Sequence, residues 1–121
     1  MGRAGGRGRA AWEARPRWRI TAGDDIALGP GKRDLLRAIE ATGSISGAAA
    51  ALGMSYRRAW MLMDEMNGCF ARPLVETSRW RRGGAALTPA GVRALGLYDR
   101  IEAKSLRAAG EDLARLRRML R

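Results

Sequence analysis

Two arginines follow a serine near the middle of the chain, in the segment Ser55-Tyr56-Arg57-Arg58. A serine placed before an apolar-periodic stretch is typical of a helix N-cap, so both arginines are predicted in the first turn of a helix. A guanidinium carries a planar fork of N–H donors that fits paired acceptors, such as guanine O6 and N7 or the oxygens of a phosphate. This segment therefore offers chemistry suited to a polyanion.

A second basic group stands between two apolar segments, Leu74–Ser78 and Ala85–Leu87, and is followed by a Gly83-Gly84 turn signal. This pattern predicts a β-hairpin with a basic tip made of Arg79, Trp80, Arg81 and Arg82. Arginines there are suited to phosphates or to a minor groove. For Trp80 three roles stay open: a wedge in a groove, an anchor in a protein interface, or a packing cap.

Three short helices must position the first group. Apolar spacing and glycine stops predict helices at about 31–41, from Ser44 or Ser46 to Gly53, and from Tyr56 to Asn67. At about 100° per residue, the third helix buries one face and turns Arg57 and Met61 away from it. The buried face consists of Ala59, Leu62, Met63 and Met66.

The remaining elements lie at the two ends. An alternating stretch at 17–21 predicts a short strand, followed by a turn at Asp24-Asp25. Thr88 and Pro89 begin a last helix, which is predicted to run to about Ala109 because Gly110 can interrupt it. The order of strand, helix, helix, tight turn, helix, hairpin and helix predicts a mainly α fold with a small β-wing, a winged helix-turn-helix.

In a helix-turn-helix the second helix lies in the DNA major groove and its N-terminal residues contact bases. Ser55, Tyr56, Arg57 and Arg58 occupy those positions here. Ser44 and Ser46, at the start of the preceding helix, are candidates for contacts with a backbone phosphate. The β-hairpin predicted from Leu74–Ser78 and Ala85–Leu87 would form the wing of this fold.

Charge and composition agree with a nucleic-acid partner. The 121-residue chain has a net charge of +11, with six arginines against one glutamate in residues 1–19. It contains no histidine, a single cysteine, and no grouping of catalytic or metal-ligating residues, which argues against an enzyme, a metal site or a cofactor. No signal peptide and no membrane span is recognisable, so we expect a cytoplasmic protein.

We expect three regions: a disordered Gly/Arg-rich tail at 1–15, the winged helix-turn-helix domain at 16–109, and a basic amphipathic extension at 110–121. The last helix carries more apolar side chains than one small core needs, which favours a homodimer. The candidate interface residues are Trp18, Ile20, Leu95, Tyr98, Ile101 and Leu106.

The predicted domain contains the runs Thr42-Gly43-Ser44-Ile45-Ser46, Ala48, Gly53-Met54-Ser55-Tyr56, Ala59-Trp60, Glu65-Met66-Asn67, Leu74-Val75-Glu76, Gly83-Gly84-Ala85, Leu87-Thr88, Gly91 and Leu97-Tyr98-Asp99. With these runs the sequence closely resembles the N-terminal domain of the ModE family of molybdate-responsive regulators, over about residues 20–106. The resemblance implies a winged helix with a dimerising helical surface, and DNA-facing positions at Ser44, Ser46, Ser55, Tyr56, Arg57 and the wing.

The family's C-terminal oxyanion-binding domains have no counterpart in these 121 residues, so molybdate binding by this chain is not expected. The resemblance implies a sequence-specific transcriptional regulator that acts by occupying an operator. Two alternatives stay open: an architectural protein that binds DNA without sequence preference, and a winged-helix module that binds another protein.

Overall fold

The computed structural model describes residues 11–78 and 83–121. The chain divides into two compact units, one comprising Arg17–Asp99 and the other the N-terminal residues up to Pro16 together with Arg100–Arg121. The elements in chain order are β1 (Ile20–Ala22), β2 (Asp25–Leu28), α1 (Pro30–Thr42), α2 (Ile45–Leu52), α3 (Tyr56–Cys69), β3 (Val75–Thr77), β4 (Ala85–Leu87) and α4 (Pro89–Arg117). This is the predicted winged helix-turn-helix, with one additional hairpin.

Glycines and serines set the ends of the three short helices. Gly43 and Gly53 adopt the left-handed conformation, with φ of 75° and 66°, that closes α1 and α2. Ser44 caps α2 and Ser55 caps α3, each by accepting a hydrogen bond from the backbone N–H three residues on. The sequence left Ser44 and Ser46 as alternative caps, and the structure selects Ser44.

The core of the 17–99 unit lies where α1, α2 and α3 meet β2, the wing and the first turns of α4. Each helix contributes one apolar stripe, and the short side chains of α2 permit close helix contacts. The fully enclosed side chains include Leu35, Leu36, Ile39, Ile45, Ala48, Ala59, Met66, Leu74 and Tyr98. The predicted buried face of α3 is confirmed for Ala59, Met63 and Met66, while Leu62 is partly buried.

The N-terminal hairpin differs from the sequence expectation. The predicted strand at 17–21 begins only at Ile20, and it pairs antiparallel with β2, which the sequence did not predict as a strand. Lys32 of α1 fixes this hairpin, because its buried ammonium group donates to the carbonyl of Ile26 and to the carboxylate of Glu65 on α3. One cation thus joins β2, α1 and α3.

The wing is the antiparallel pair of β3 and β4, with Val75 opposite Leu87 and Thr77 opposite Ala85. The start of β4 and the preceding Gly83 are bonded to the start of α2: the Ile45 N–H donates to Gly83 O at 3.2 Å, and the Ala85 N–H donates to Gly43 O at 3.0 Å. These bonds place the wing beside the N-terminus of α2.

Helix α4 continues to Arg117, past the Gly110 at which the sequence predicted an interruption. A helical glycine costs about 1 kcal/mol relative to alanine. The following residues offset that cost, since Arg115 pairs with Glu111 one turn earlier at 3.1 Å and arginines lie in the last turn. In the same unit the Arg117 guanidinium lies 5.3 Å from the centre of the Trp12 ring.

Candidate nucleic-acid interface

The tight turn between α2 and α3 exposes the start of α3, which we call the recognition helix. Gly53 reverses the chain, Met54 follows, and the Ser55 hydroxyl accepts from the Arg58 N–H at 3.0 Å. The apolar stripe of the recognition helix fixes its rotation against α1 and α2. Its opposite face is therefore held toward solvent.

The predicted base-contacting residues lie together at this exposed start. Ser55, Tyr56, Arg57 and Arg58 are all solvent-exposed. Neither arginine side chain forms an ion pair within the described part of the chain, whereas Arg33, Arg37 and Lys32 each pair with an acid. Two uncompensated guanidinium groups therefore lie at the start of the helix.

The two serines of α2 have different environments. Ser44 is half-buried, its hydroxyl accepts from the Gly47 N–H at 2.9 Å, and its backbone forms a bridge with Gly84. Ser46 is exposed in the first turn of α2. The hydroxyl oxygen of Ser44 thus caps its own helix, while the Ser46 hydroxyl is open to solvent. A phosphate contact by either one stays a prediction.

Asn67 connects the recognition helix to the wing, a role that the sequence analysis missed. Its carbonyl oxygen accepts from the N–H groups of Leu74 at 2.9 Å and Val75 at 3.2 Å, and its amide donates to Val75 O at 2.9 Å. A side-chain amide here completes the backbone pairing of the first wing strand. No local spacing rule could have found this contact, because the partners meet only through the tertiary fold.

The predicted basic tip of the wing lies outside the described residues. Arg79, Trp80, Arg81 and Arg82 join Ser78 to Gly83 in the sequence. Their contacts with phosphate, a minor groove or a partner remain predictions.

Asp99 holds two arginines of α1 against α4. Its carboxylate accepts from Arg33 Nε at 2.9 Å and from Arg37 Nη2 at 2.5 Å. Burial raises the pKa of Asp99, but the hydrogen bonds and charges of Arg33 and Arg37 outweigh burial and hold the pKa below its usual value. The hydrogen bond that Arg33 donates to Asp99 in turn raises the pKa of Arg33. The anchor between α1 and α4 is therefore fully charged near neutral pH.

Two of the predicted dimer-interface residues need correction. Leu95 and Tyr98 are only 2% and 1% exposed, and both pack into the core of their own unit. The Tyr98 hydroxyl also donates to Trp18 O at 2.7 Å. The side of α4 that carries Leu95 and Tyr98 therefore faces the core of its own unit. Trp18, Ile20, Ile101 and Leu106 are exposed.

Two exposed apolar residues of the recognition helix were not among the predicted site residues. Met61 is 62% and Trp60 is 39% exposed. The helical wheel did place Met61 opposite the buried face, so the signal was present, but methionine and tryptophan are more often core residues.

Two kinds of site can be looked for among the described residues: a membrane-spanning helix and a metal site. Among these residues no helix is long and apolar enough to cross a bilayer. No group of three histidine, cysteine or acidic side chains lies close enough there to hold a metal ion.

Comparison with known proteins agrees with this geometry. Residues 34–92 match the family described as bacterial regulatory helix-turn-helix protein, lysR family. That range covers most of α1, all of α2 and the recognition helix, the wing strands and the beginning of α4.

Curated relatives match a similar part of the chain. The molybdenum-pterin-binding protein MopB of Rhodobacter capsulatus is 44% identical over 78 residues, which are 63% of this chain and 29% of the relative. The DNA-binding transcriptional dual regulator ModE of Escherichia coli K12 is 38% identical over 88 residues, 69% of this chain and 34% of the relative. The chain thus matches about a third of the length of these relatives.

Proposed function

Because this chain carries a ModE-like helix-turn-helix domain of the bacterial regulatory lysR type, we propose that it is a sequence-specific DNA-binding transcriptional regulator. The observation that carries the proposal is the exposed start of the recognition helix, where Arg57 and Arg58 lie without an ion-pair partner among the described residues. Such a helix start fits the major groove of duplex DNA. Regulation would follow from occupancy of an operator, without catalysis.

Within this proposal the contacts divide into two kinds. Arg57 and Arg58, flanked by Ser55 and Tyr56, contact base edges, with guanine as the preferred partner of a guanidinium. Ser44 and Ser46, together with the wing residues Arg79, Trp80, Arg81 and Arg82, contact the backbone or a minor groove. Two hydrogen bonds support this arrangement, because they hold the wing close to the start of α2: the Ala85 N–H donates to Gly43 O, and the Ile45 N–H donates to Gly83 O.

We further propose that the protein acts as a homodimer in the cytoplasm. Within α4, apolar residues recur at Leu106, Ala109, Leu113 and Leu116, at alternating spacings of three and four positions. That spacing is typical of the seam between paired helices. Leu106 and Leu116 are exposed, and exposed apolar side chains in such a row are typical of an interface. A two-fold dimer would match an inverted repeat with half-sites about 34–36 Å apart.

The test is a selection of bound duplexes from a random library, followed by titration of the best duplex in the presence of competitor DNA. We expect one preferred sequence motif. Arg57→Ala should weaken binding to it by about 1–3 kcal/mol and relax one base position. Arg100→Ala is the matched control, since it removes the same charge from an exposed site in α4 and should leave the motif unchanged.

The other possible outcomes separate the alternatives. Binding that is strong but equal for all duplexes would contradict a specific regulator and favour an architectural protein. Absence of salt-dependent DNA binding would favour a protein-interaction module. Sedimentation equilibrium at micromolar concentration decides the dimer: a 13.2 kDa monomer that persists on the selected duplex would contradict it.

A further inference from the structure

The recognition helix presents an apolar side chain in the middle of its exposed face. Met61 is 62% exposed and lies four residues after Arg57. At about 100° per residue the two side chains are about 40° apart, on the side opposite Ala59, Met63 and Met66. Arg57 and Met61 therefore face the same direction on successive helical turns.

The spacing of the two residues fits the spacing of base pairs. Four residues advance a helix by about 6 Å, and base pairs in a duplex are about 3.4 Å apart. Side chains one turn apart on a helix in the groove thus reach bases one or two steps apart. In the major groove the only apolar group that base pairs present is the C5-methyl of thymine.

We propose that Met61 is a specificity-determining residue that contacts the methyl group of a thymine, one or two base pairs from a guanine held by Arg57. The inference rests on the proposed function. A methionine suits this contact because it is unbranched and polarisable and adapts its shape to an apolar group.

Charge favours DNA over a protein as the occupant of this face. Met61 follows Arg57 and Arg58, and neither of these arginines has an ion-pair partner among the described residues. The exposed side chains of Tyr56 and Trp60 lie on one flank of the same helical turns. The first acidic residue along the helix is Asp64, almost one turn beyond Met61. The basic and apolar groups thus occupy the first two turns, the part of a recognition helix that enters the groove.

The experiment replaces each thymine of the selected duplex, one at a time, by deoxyuridine, which loses only the methyl group. For the wild-type chain we expect one thymine per half-site at which affinity falls about fourfold, the equivalent of about 0.8 kcal/mol for one buried methyl-sized group. Met61→Ala, which removes the contact from every half-site, should bind the unmodified duplex more weakly by about fourfold per half-site. It should show no further loss with deoxyuridine at that position. Met61→Leu should restore the dependence.

Met119→Ala is the matched control, since Met119 is also exposed but lies beyond the end of α4. It should behave as wild type in every titration. Because Met61 is exposed, we expect the thermal midpoint of Met61→Ala to equal that of the wild type, which checks that the variant is folded.

Three results would overturn the assignment while leaving the proposed function intact. The first is a preferred motif in which no thymine depends on its methyl group. The second is an equal deoxyuridine penalty in wild type and Met61→Ala. The third is unchanged DNA binding by Met61→Ala, which would leave a protein as the occupant of this face. A chain with no sequence preference at all would instead contradict the proposed function, and this inference with it.

Discussion

Gly91 is the position where a single added methyl group should do most damage to the wing. A Cβ atom built on Gly91 would lie 2.0 Å from the carbonyl oxygen of Leu74, whereas real Cβ atoms essentially never approach another heavy atom within 3.0 Å. In Gly91→Ala the first turn of α4 and the start of the wing must therefore separate by about 1 Å.

Two hydrogen bonds resist that movement. The Thr88 hydroxyl donates to Pro73 O at 2.7 Å, and the Thr88 N–H donates to Leu74 O at 2.9 Å. Stretched by about 1 Å, neither remains a hydrogen bond. Each is worth about 1 kcal/mol, and overpacking adds about 1–3 kcal/mol. The helix gains about 1 kcal/mol from alanine in place of glycine. We expect a net loss of about 2–4 kcal/mol.

Gly96→Ala is the matched control within the same helix. A Cβ atom at Gly96 has no heavy atom within 4 Å, so only the gain of about 1 kcal/mol in helix propensity should remain. The assay is urea unfolding followed by circular dichroism, with DNA affinity measured on the folded protein. Equal unfolding free energies for the two variants, or a stabilised Gly91→Ala, would refute the contact between α4 and Leu74 on which this reasoning depends.

Three further predictions concern Asn67, Asp99 and Arg81. Asn67→Ala should cost about 2–3 kcal/mol in urea unfolding, because two backbone N–H groups and the carbonyl of Val75 lose their partner; a cost below 0.5 kcal/mol would contradict the link. The stabilisation that Asp99 provides should be complete above about pH 4, the ordinary pKa of an aspartate, and should disappear as the pH falls through its lowered folded-state pKa. The stability difference between wild type and Asp99→Asn should therefore shrink only in acid; a difference that is constant from pH 7 to pH 2 would argue against this pairing. Arg81→Ala should reduce the slope of log affinity against log salt by about 1 without altering the preferred motif, and an unchanged slope would exclude a phosphate contact.

Local signals predicted the elements that carry the proposed DNA contacts. The glycine stops and serine caps placed α2 and the recognition helix within two residues of their observed ends, and the apolar stripe of Ala59, Met63 and Met66 fixed the exposed face. These features depend on neighbours three or four residues away, which a sequence displays directly.

Features that depend on tertiary contacts could not be predicted from these local sequence signals. Nothing in the spacing of Leu95 and Tyr98 distinguishes an apolar stripe that fills its own core from one that meets a second chain, and the structure assigns both to the core. The pairing of Lys32 with Glu65 joins residues 33 positions apart. Strand β2 was missed because its formation depends on pairing with β1, while its own sequence begins with a turn-forming aspartate.

The wing is attached on both sides of the segment between Ser78 and Gly83, which makes that segment exchangeable. On one side the Ala85 N–H donates to Gly43 O, the Ile45 N–H donates to Gly83 O, and Ser44 forms a bridge with Gly84. The Ser78 N–H donates to Gly84 O at 2.9 Å across the ends of the segment. The entropy of closing a flexible loop grows slowly, by about 0.6 kcal/mol for each doubling of length. Sequences of different length and charge could thus be grafted between Ser78 and Gly83 at small cost in folding. Grafting would provide a route to alter the DNA affinity of this domain and its salt dependence without redesigning its recognition helix.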